Sequence, residues 1–356
     1  MSVLRWSTGR RGGNGETDKA LPVPKPTNST NSRRPAYAAI DLGTNNCRLL
    51  VACPDSEDTG GMRVIDGFSR IVRLGEGLGT SGRLSDTAIG RATEALKICA
   101  RKIASRGVCE TRAIATEACR QADNDDDFFR DVLEETGIQF ETITPKEEAE
   151  LTLAGCVPLL ATEHPRTLMF DIGGGSTELM WVDNNSSPSP RALDILSLPF
   201  GVVNLAEEYG RDALTTEAFE AIVGRIDADL ATFEDRHGIA HEIATGKVHV
   251  LGTSGTVTTM GAIYLDLVRY DRARVDGLSI RYESIHAICK NLAALDYQAL
   301  YDHPCIGPGR ADLMVMGCAI LTAICRRWPA DHLTAADRGI REGLLRGMMT
   351  SGRAVA

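Results

Sequence analysis

The stretch Asp171-Ile-Gly-Gly-Gly-Ser-Thr-Glu178 decides the fold, because it joins two apolar runs, residues 167–172 and 177–182, through three consecutive glycines. This pattern predicts two neighbouring strands with a tight connection. Consecutive glycines are tolerated where another group must approach the main chain closely. In a hairpin the residues flanking the turn lie side by side, so Asp171 and Glu178 can converge on a cation such as Mg²⁺. A purely structural hairpin is the alternative.

A similar motif lies 130 residues earlier. Asp41-Leu-Gly-Thr-Asn-Asn46 separates the apolar runs 37–42 and 46–53. The backbone N–H groups of such a turn can form a nest that binds phosphate, although the same residues also suit a plain hairpin. Two strands that end in Asp before a glycine turn predict a duplicated lobe.

A third glycine loop, Gly252-Thr-Ser-Gly255, follows the apolar strand predicted at 248–251 and precedes a helix predicted near 255–266. A strand, a glycine turn and a helix N-terminus together form an anion cradle. The loop lacks the GxxxxGK[ST] pattern, which excludes a P-loop enzyme.

Strands and helices alternate along the rest of the chain, which predicts α/β lobes with mixed sheets. The further predicted strands are 62–70, 111–116, 139–143, 194–198 and 332–336. The further predicted helices are 85–106, 125–135, one that opens at Pro145, 202–210, 215–236, 282–296, 311–327 and 338–349.

The chain length of 356 residues exceeds one ordinary hydrophobic core. We predict a disordered N-terminal extension over 1–35, an N-terminal lobe over 36–165 completed by the C-terminal helix 338–350, and a C-terminal lobe over 166–337. The linkers near 160–166 and 330–338 are candidate hinges.

The charge is unevenly distributed: residues 1–35 carry +5 and the remaining chain −14. The net negative charge of the chain after residue 35 argues against general nucleic-acid binding, because that binding needs a basic surface. No apolar run is long enough to span a membrane and no secretory signal is apparent, so we expect a cytoplasmic protein. The ten cysteines form no CxxC motif, and His237 and His241, without an HExxH glutamate, are predicted to be surface polar residues.

Taken together, the motifs resemble the exopolyphosphatase and guanosine pentaphosphate phosphohydrolase (Ppx/GppA) family of the actin, sugar-kinase and Hsp70-like ATPase superfamily. The resemblance covers about residues 36–350. It is carried by AIDLGTNNCRLLVA, ATEACRQADN, ITPKEEAEL, FDIGGGSTEL, SLPFGVVNLAE, LGTSGTVTTMGA, GRADLMVMGCAIL and DRGIREGLL. It implies two actin/Hsp70-like (ribonuclease H-like) lobes around a cleft, in the short form without C-terminal helical domains, and most like an exopolyphosphatase.

The resemblance also implies roles for individual residues. Glu148 matches the family's catalytic general base, and Asp171 and Glu178, together with Glu148, match its metal-binding carboxylates. Without the resemblance Glu148 would read as a solvent-facing helix residue, and Arg48 and Arg310 as partners in surface salt bridges. Asn124 belongs to a matching segment without a defined role. The implied phosphate-binding residues are Asp41, Gly43, Thr44, Asn45, Arg48, Thr116, Arg120, Gly173, Gly174, Gly175, Ser176, Thr177, Gly252, Thr253, Ser254, Gly255 and Arg310.

The implied activity is Mg²⁺-dependent hydrolysis of the terminal phosphate of inorganic polyphosphate, with Mn²⁺ as an alternative metal, a monovalent cation as a further candidate and a homodimer as a candidate assembly. Hydrolysis of guanosine pentaphosphate (pppGpp) to ppGpp, a reaction of the stringent response, is the nearest alternative. An ATP-dependent kinase and a non-hydrolytic polyphosphate or nucleotide-binding regulator are the others. The chain departs from the family pattern at Glu150, Asp276 and Gly309.

Overall fold

The computed structural model describes residues 34–55, 61–210 and 215–354. The strands are β1 (Ala36–Leu42), β2 (Asn46–Pro54), β3 (Met62–Ile71), β4 (Val108–Ala115), β5 (Phe140–Thr142), β6 (Arg166–Ile172), β7 (Thr177–Asp183), β8 (Arg191–Leu198), β9 (Val248–Thr253), β10 (Leu278–Arg281) and β11 (His332–Ala336). The helices are α1 (Leu78–Ser81), α2 (Asp86–Arg106), α3 (Glu117–Gln121), α4 (Asp125–Thr136), α5 (Pro145–Cys156), α6 (Val202–Tyr209), α7 (Thr216–His237), α8 (Ile239–Ala244), α9 (Gly255–Tyr264), α10 (Arg272–Val275), α11 (Tyr282–Ala293), α12 (Tyr297–Asp302), α13 (Met314–Arg327) and α14 (Ile340–Ala354).

The strands form two mixed sheets with the same core topology. The first sheet has the order β3-β2-β1-β4-β5, and the second has β10-β11-β9-β6-β7-β8. In the first sheet β3, β2 and β1 are antiparallel neighbours, and β4 and β5 follow parallel to β1. In the second sheet β8, β7 and β6 are antiparallel neighbours, and β9 and β11 follow parallel to β6. The predicted α/β fold with two mixed sheets is therefore confirmed, and the second sheet adds β10 at its edge.

Strand β1 is buried on both faces, and its side chains alternate between two cores. Ala38 and Ile40 pack with the α2 residue Leu96. Tyr37 and Ala39 pack with the α14 residue Leu344 on the opposite face. The C-terminal helix thus covers the first sheet. The lobe boundaries at 165/166 and 337/338 stay a prediction, because the chain from Arg34 onward forms one compact unit.

Helix α5 is held between α14 and the second sheet. Its residues Ala149 and Leu153 pack on Met169 of β6. On its other side the two helices cross at glycines: a Cβ at Gly155 would overlap the Gly339 carbonyl, and a Cβ at Gly343 would overlap the Leu151 carbonyl. Helix α5 therefore presents its first turn where the two sheets meet.

Most predicted elements are present, and the differences concern ends and short segments. Strand β8 begins at Arg191 rather than 194, and α13 begins at Met314 rather than 311. Helix α14 begins at Ile340 rather than 338 and continues to Ala354. The four- to six-residue helices and β10 went unpredicted, because so short an element shows no hydrophobic period.

Two further predictions concern residues outside the cleft. The extension predicted over 1–35 falls, except for Arg34 and Pro35, outside the described residues. The surface assignment of His237 was wrong, since the ring is half-buried against Phe233 and lies 2.7 Å from an Asp194 carboxylate oxygen. Within the described ranges, every helix is too short or too polar to cross a bilayer.

Candidate active site

A cleft lies where the glycine loops of the two sheets meet. Its inner part, a cavity of about 120 Å³, is lined by residues of both hairpin turns and by Glu148. It continues into a cavity of about 500 Å³. The residues that line both cavities are Asp41, Arg48, Asp171, Ser254, Gly255, Arg310 and Ile340.

The two hairpin turns have equivalent geometry. In the first, Gly43 N–H donates to Asn46 O at 2.9 Å, and Asp41 stands opposite Arg48 in the register. In the second, Gly173 N–H donates to Ser176 O at 2.9 Å, and Asp171 stands opposite Glu178. Directly opposed residues have Cβ atoms about 5 Å apart, so each turn brings two ionisable side chains together.

The loops touch each other through their glycines. A Cβ added to Gly174 would lie 3.0 Å from Thr44 Cβ, and one added to Gly175 would lie 2.8 Å from Thr44 Oγ1. Any larger residue would therefore push the loops apart. The predicted close approach to the triple-glycine main chain is made by the other hairpin.

Glu148 occupies the first turn of α5, where the chain is held by local caps. Pro145 stands at the start of the helix, and Thr144 and Glu147 form a capping box. Glu148 is 9% exposed and accepts a hydrogen bond from Arg120 Nη1 at 2.8 Å. It is therefore a buried cleft residue rather than a solvent-facing one.

Arg120 lies behind Glu148 and does not line the cleft. Its guanidinium also donates to Glu117 Oε2 and to the Ile143 carbonyl. These contacts leave Arg120 as a support for Glu148, whereas the sequence had predicted it among the phosphate-binding residues.

The buried carboxylates in and beside the cleft have raised pKa values. Glu148, Asp171 and Asp41 line the cleft, whereas Glu178 is 2% exposed and lines neither cavity. Burial, and next the charge of Glu178, raise the pKa of Glu148 well above its usual range, although Arg120 opposes the shift. Burial raises the pKa of Asp171 to about 6 and that of Glu178 to about 7. Burial also raises the pKa of Asp41. The nearby arginines offset this effect of burial only in part, and a bound cation would favour the charged carboxylates further.

The donor set fits Mg²⁺ bound through few protein ligands. Across the described ranges, no three His, Cys, Asp or Glu side chains are grouped so that they could hold a metal ion together, so the predicted set of Asp171, Glu178 and Glu148 does not form one three-ligand site. Mg²⁺ usually takes one or two carboxylates and completes its shell with water and phosphate oxygens. Asn45 Oδ1, in the cleft lining, is buried without a hydrogen-bond partner among the described residues and could accept from such a water.

The third glycine loop contributes mainly Ser254 and Gly255. Ser254 has φ 141° and caps α9, because its Oγ accepts from the Thr256 and Val257 N–H groups at 3.1 Å. A strained non-glycine residue in a cleft is a common feature of functional sites. Gly252 lies under the Phe170 ring, where a Cβ would stand 2.6 Å from Cζ, and so supports the loop from below.

Other predicted residues divide between the cleft lining and its support. Arg48 and Thr116 line the cleft. The Thr177 hydroxyl instead donates to Phe200 O at 2.6 Å. Thr253 lines the larger cavity, and its hydroxyl donates to Arg338 O at 2.7 Å. Asn124 lies away from the cleft, where its side chain bonds the Leu84 N–H and carbonyl.

Arg310 faces the cleft without a carboxylate partner among the described residues. Its Nη1 donates to Thr259 Oγ1 at 3.0 Å, and burial, followed by repulsion from Arg48, lowers its pKa. Two arginines close enough to repel each other suit an anion between them better than a surface salt bridge.

The three departures from the family pattern lie at the margins of the site. Glu150 is exposed on α5 and lies 3.9 Å from Lys146. Asp276 pairs with Arg338 at 2.6 Å. Gly309 abuts the Ile71 side chain, and a Cβ there would lie 2.5 Å from Cδ1. None of the three lines either cavity.

Two residues that the sequence reasoning missed belong to the site. Arg341 lines the larger cavity, and Asn204 bonds the Gly175 carbonyl at 2.8 Å. Both stand within segments quoted for the family resemblance, yet only the folded chain brings them to the glycine loops.

Comparison with known proteins agrees with this geometry. Residues 55–352 match the Ppx/GppA phosphatase family. The chain is 30% identical over 322 residues to Exopolyphosphatase 2 of Mycobacterium tuberculosis, which covers 86% of this chain and 96% of that protein. The Aquifex aeolicus PPX-GPPA enzyme is similar in structure, with a TM-score of 0.73, 26% identity, and coverage of 88% of this chain and 99% of that one.

A second solved structure, described as an exopolyphosphatase-like protein, is 27% identical with a TM-score of 0.78 and covers 89% of this chain and 99% of that one. An exopolyphosphatase from Cytophaga hutchinsonii shares the fold, with a TM-score of 0.78 and 21% identity. The match covers 89% of this chain and 98% of that one. The chain belongs to the Ppx/GppA phosphatase family, because the family model matches residues 55–352 and the Mycobacterium tuberculosis relative covers 86% of the chain.

Proposed function

We propose that this protein is an exopolyphosphatase, which hydrolyses the terminal phosphoanhydride bond of inorganic polyphosphate and releases orthophosphate. The observation that carries the proposal is the position of Glu148, which lines the same cavity as both glycine turns. A base beside two phosphate nests suits transfer of a phosphoryl group to water. The similarity to Exopolyphosphatase 2 supports polyphosphate as the substrate.

In the proposed mechanism the terminal phosphate lies between the turns at Gly43–Asn45 and Gly173–Ser176. Glu148 orients a water molecule and takes its proton while the water oxygen bonds to phosphorus. Arg120 holds the carboxylate in place through the 2.8 Å hydrogen bond. The bond from phosphorus to the bridging oxygen breaks, and the shortened chain leaves as an anion of low pKa. The departure of this chain therefore needs no strong general acid.

Asp171 and Glu178 are the proposed ligands of Mg²⁺, directly or through water, with Asn45 nearby. The metal would neutralise charge on the phosphate oxygens. Arg48 and Arg310 at the boundary of the two cavities would hold the next phosphates. The larger cavity is also lined by Arg341, while its Arg272 and Arg338 are paired with Glu342 and Asp276. Arg48, Arg310 and Arg341 together suit a linear polyanion better than a neutral nucleoside.

The experiment compares orthophosphate release by the purified full-length protein from long-chain polyphosphate and from pppGpp, each with Mg²⁺ and with a chelator. We expect release from polyphosphate with the higher kcat/KM, and strong loss with the chelator. Faster release from pppGpp would favour the alternative substrate, and release from neither would contradict the hydrolase. Phosphorylation of an acceptor by ATP would indicate a kinase instead.

Glu150, which departs from the family pattern, lies on the outer side of α5 and leaves Glu148 in place, so it gives no support to a non-hydrolytic regulator. A cytoplasmic location and a homodimer remain part of the proposal. Sedimentation of the purified protein would measure the assembly directly.

A further inference from the structure

The carbonyls of the triple-glycine loop are all occupied by the start of α6. The Val202 N–H donates to Gly173 O at 3.1 Å, and the Val203 N–H donates to Gly174 O at 2.8 Å. The third carbonyl, Gly175 O, has no helix amide opposite it and accepts from the side chain of Asn204 at 2.8 Å. Three consecutive peptide units are thus oriented by one neighbouring segment.

Orienting a carbonyl also orients the next amide. A trans peptide is planar, and its C=O and N–H point in opposite directions. With the three carbonyls turned to α6, the N–H groups of Gly174, Gly175 and Ser176 must point away from it. Within the described part of the chain none of these three N–H groups has an acceptor, and all three residues line the inner cavity.

Asn204 is itself held tightly. Its Oδ1 accepts from the Gly201 N–H at 2.7 Å and from the Leu205 N–H at 3.1 Å, and its Nδ2 also donates to Pro199 O at 3.0 Å. Gly201 lies so close to Gly174 that a Cβ would overlap the carbonyl group. The side chain therefore bridges α6 to the loop at a fixed distance.

The first hairpin is oriented in the same way, but by main chain alone. Gly75 N–H donates to Thr44 O at 3.0 Å, and the amides of Val72 and Arg73 both donate to Asn45 O, at 2.9 and 3.0 Å. Asn204 is thus the point at which one side-chain change can release one loop and leave the other intact.

We infer that Asn204 is a positioning residue, which, with the first two amides of α6, aims the N–H groups of Gly174, Gly175 and Ser176 at the terminal phosphate of the substrate. This inference rests on the proposed function for the identity of the substrate. Whatever the substrate, three amides whose direction depends on Asn204 bind its phosphate group.

Two substitutions separate the roles of the side chain. Asn204→Ala removes all the side-chain hydrogen bonds, whereas Asn204→Asp keeps the acceptor for the Gly201 and Leu205 amides and loses the Nδ2 donor to Gly175 O and to Pro199 O. The matched control is Asn184→Ala, because Asn184 Nδ2 also holds loop carbonyls, such as His164 O at 2.9 Å, but lies outside the cleft. Thermal unfolding of each variant verifies that it is folded.

The measurement is a titration with inorganic orthophosphate in the presence of Mg²⁺, followed by the amide resonances of Gly174, Gly175 and Ser176 in ¹⁵N-labelled full-length protein. We expect these resonances to shift together in the wild type and in Asn184→Ala. In both Asn204 variants the dissociation constant for phosphate should rise about tenfold or more, with kcat for polyphosphate falling more than KM rises, because donors aimed at the transition state are misdirected.

Unshifted amides in the wild type, or wild-type phosphate affinity in both Asn204 variants, would overturn the inference. If the wild-type amides shift but polyphosphate is not hydrolysed, the proposed function fails and the inference stands. Loss of phosphate binding in Asn184→Ala as well would assign the effect to general destabilisation and would also count against it.

Discussion

Arg120 Nη1 lies 2.8 Å from Glu148 Oε2, and this ion pair joins α3 to the first turn of α5. Glu148 lines the cavity between the hairpin turns, whereas Arg120 contacts its carboxylate without lining that cavity. The pair fixes the carboxylate without filling the space beside it. A water molecule and a phosphate group can therefore occupy the same cavity as the base.

Glu148→Gln should reduce kcat for polyphosphate by about 10²–10⁴-fold, because the amide keeps the shape of the side chain but cannot take a proton. Substrate binding should be retained. Steady-state kinetics and equilibrium binding of polyphosphate check both parts. Glu150→Gln is the matched control, since it makes the same change on the exposed side of the same helix, and kcat near wild type is expected there. A Glu148→Gln enzyme with wild-type turnover would remove the base from the mechanism.

Asp171→Asn and Glu178→Gln should raise the Mg²⁺ concentration that gives half-maximal activity, because each removes a negative oxygen from the proposed site. Activity measured over a Mg²⁺ titration is the test. Asp183→Asn is the control, since Asp183 ends the same hairpin and pairs with Arg166 far from the cleft. If all three variants respond to Mg²⁺ as the wild type does, neither carboxylate is a ligand.

Gly343→Ala should destabilise the protein by about 2 kcal/mol or more, because the added methyl overlaps the Leu151 carbonyl where α14 crosses α5. Gly347→Ala, one turn later in α14, has nothing within 4 Å and should be neutral or stabilising by up to about 1 kcal/mol. Denaturant unfolding of both variants gives the comparison. Equal stabilities would mean that the two helices do not cross this closely.

His249→Gln should flatten the pH dependence of stability between about pH 6.5 and 4. Burial lowers the pKa of His249 to about 4 in the folded protein. The unfolded chain therefore binds one more proton in this window, and stability falls as the pH falls, by as much as about 3 kcal/mol. Buried carboxylates with raised pKa values act in the opposite direction, so only the difference between variant and wild type is informative.

That difference is measured by denaturant unfolding at pH 4.5, 5.5 and 7. His241→Gln, an exposed histidine, should keep the wild-type slope. An unchanged slope in His249→Gln would show that this ring is not buried in its neutral form.

The sequence alone predicts the parts of this fold that depend on local pattern. The hairpin turns at Gly43 and Gly173 are of this kind, because a strand, a glycine turn and a second strand are adjacent in the chain. So is the start of α5 at Pro145. The ion pair between Arg120 and Glu148 joins residues 28 positions apart, and no local pattern specifies it.

The roles of supporting residues were beyond sequence reasoning for the same physical reason. Thr177 stands within the conspicuous glycine motif, yet its hydroxyl is bonded to Phe200 O. Asn204 stands in an ordinary helix, yet it orients a loop 29 positions earlier. Which of two polar residues faces the cleft depends on tertiary packing, so a motif predicts the loop better than the duty of each member.

The central claim is that this cleft removes the terminal phosphate of polyphosphate. The most direct measurement compares orthophosphate release, with Mg²⁺, from ordinary polyphosphate and from polyphosphate whose two ends are blocked as alkyl esters, with chain length followed on gels. We predict steady release from the free-ended chain, none from the blocked chain, and no shortening of the blocked chain. Shortening of the blocked chain, or no release from the free-ended one, would contradict the account.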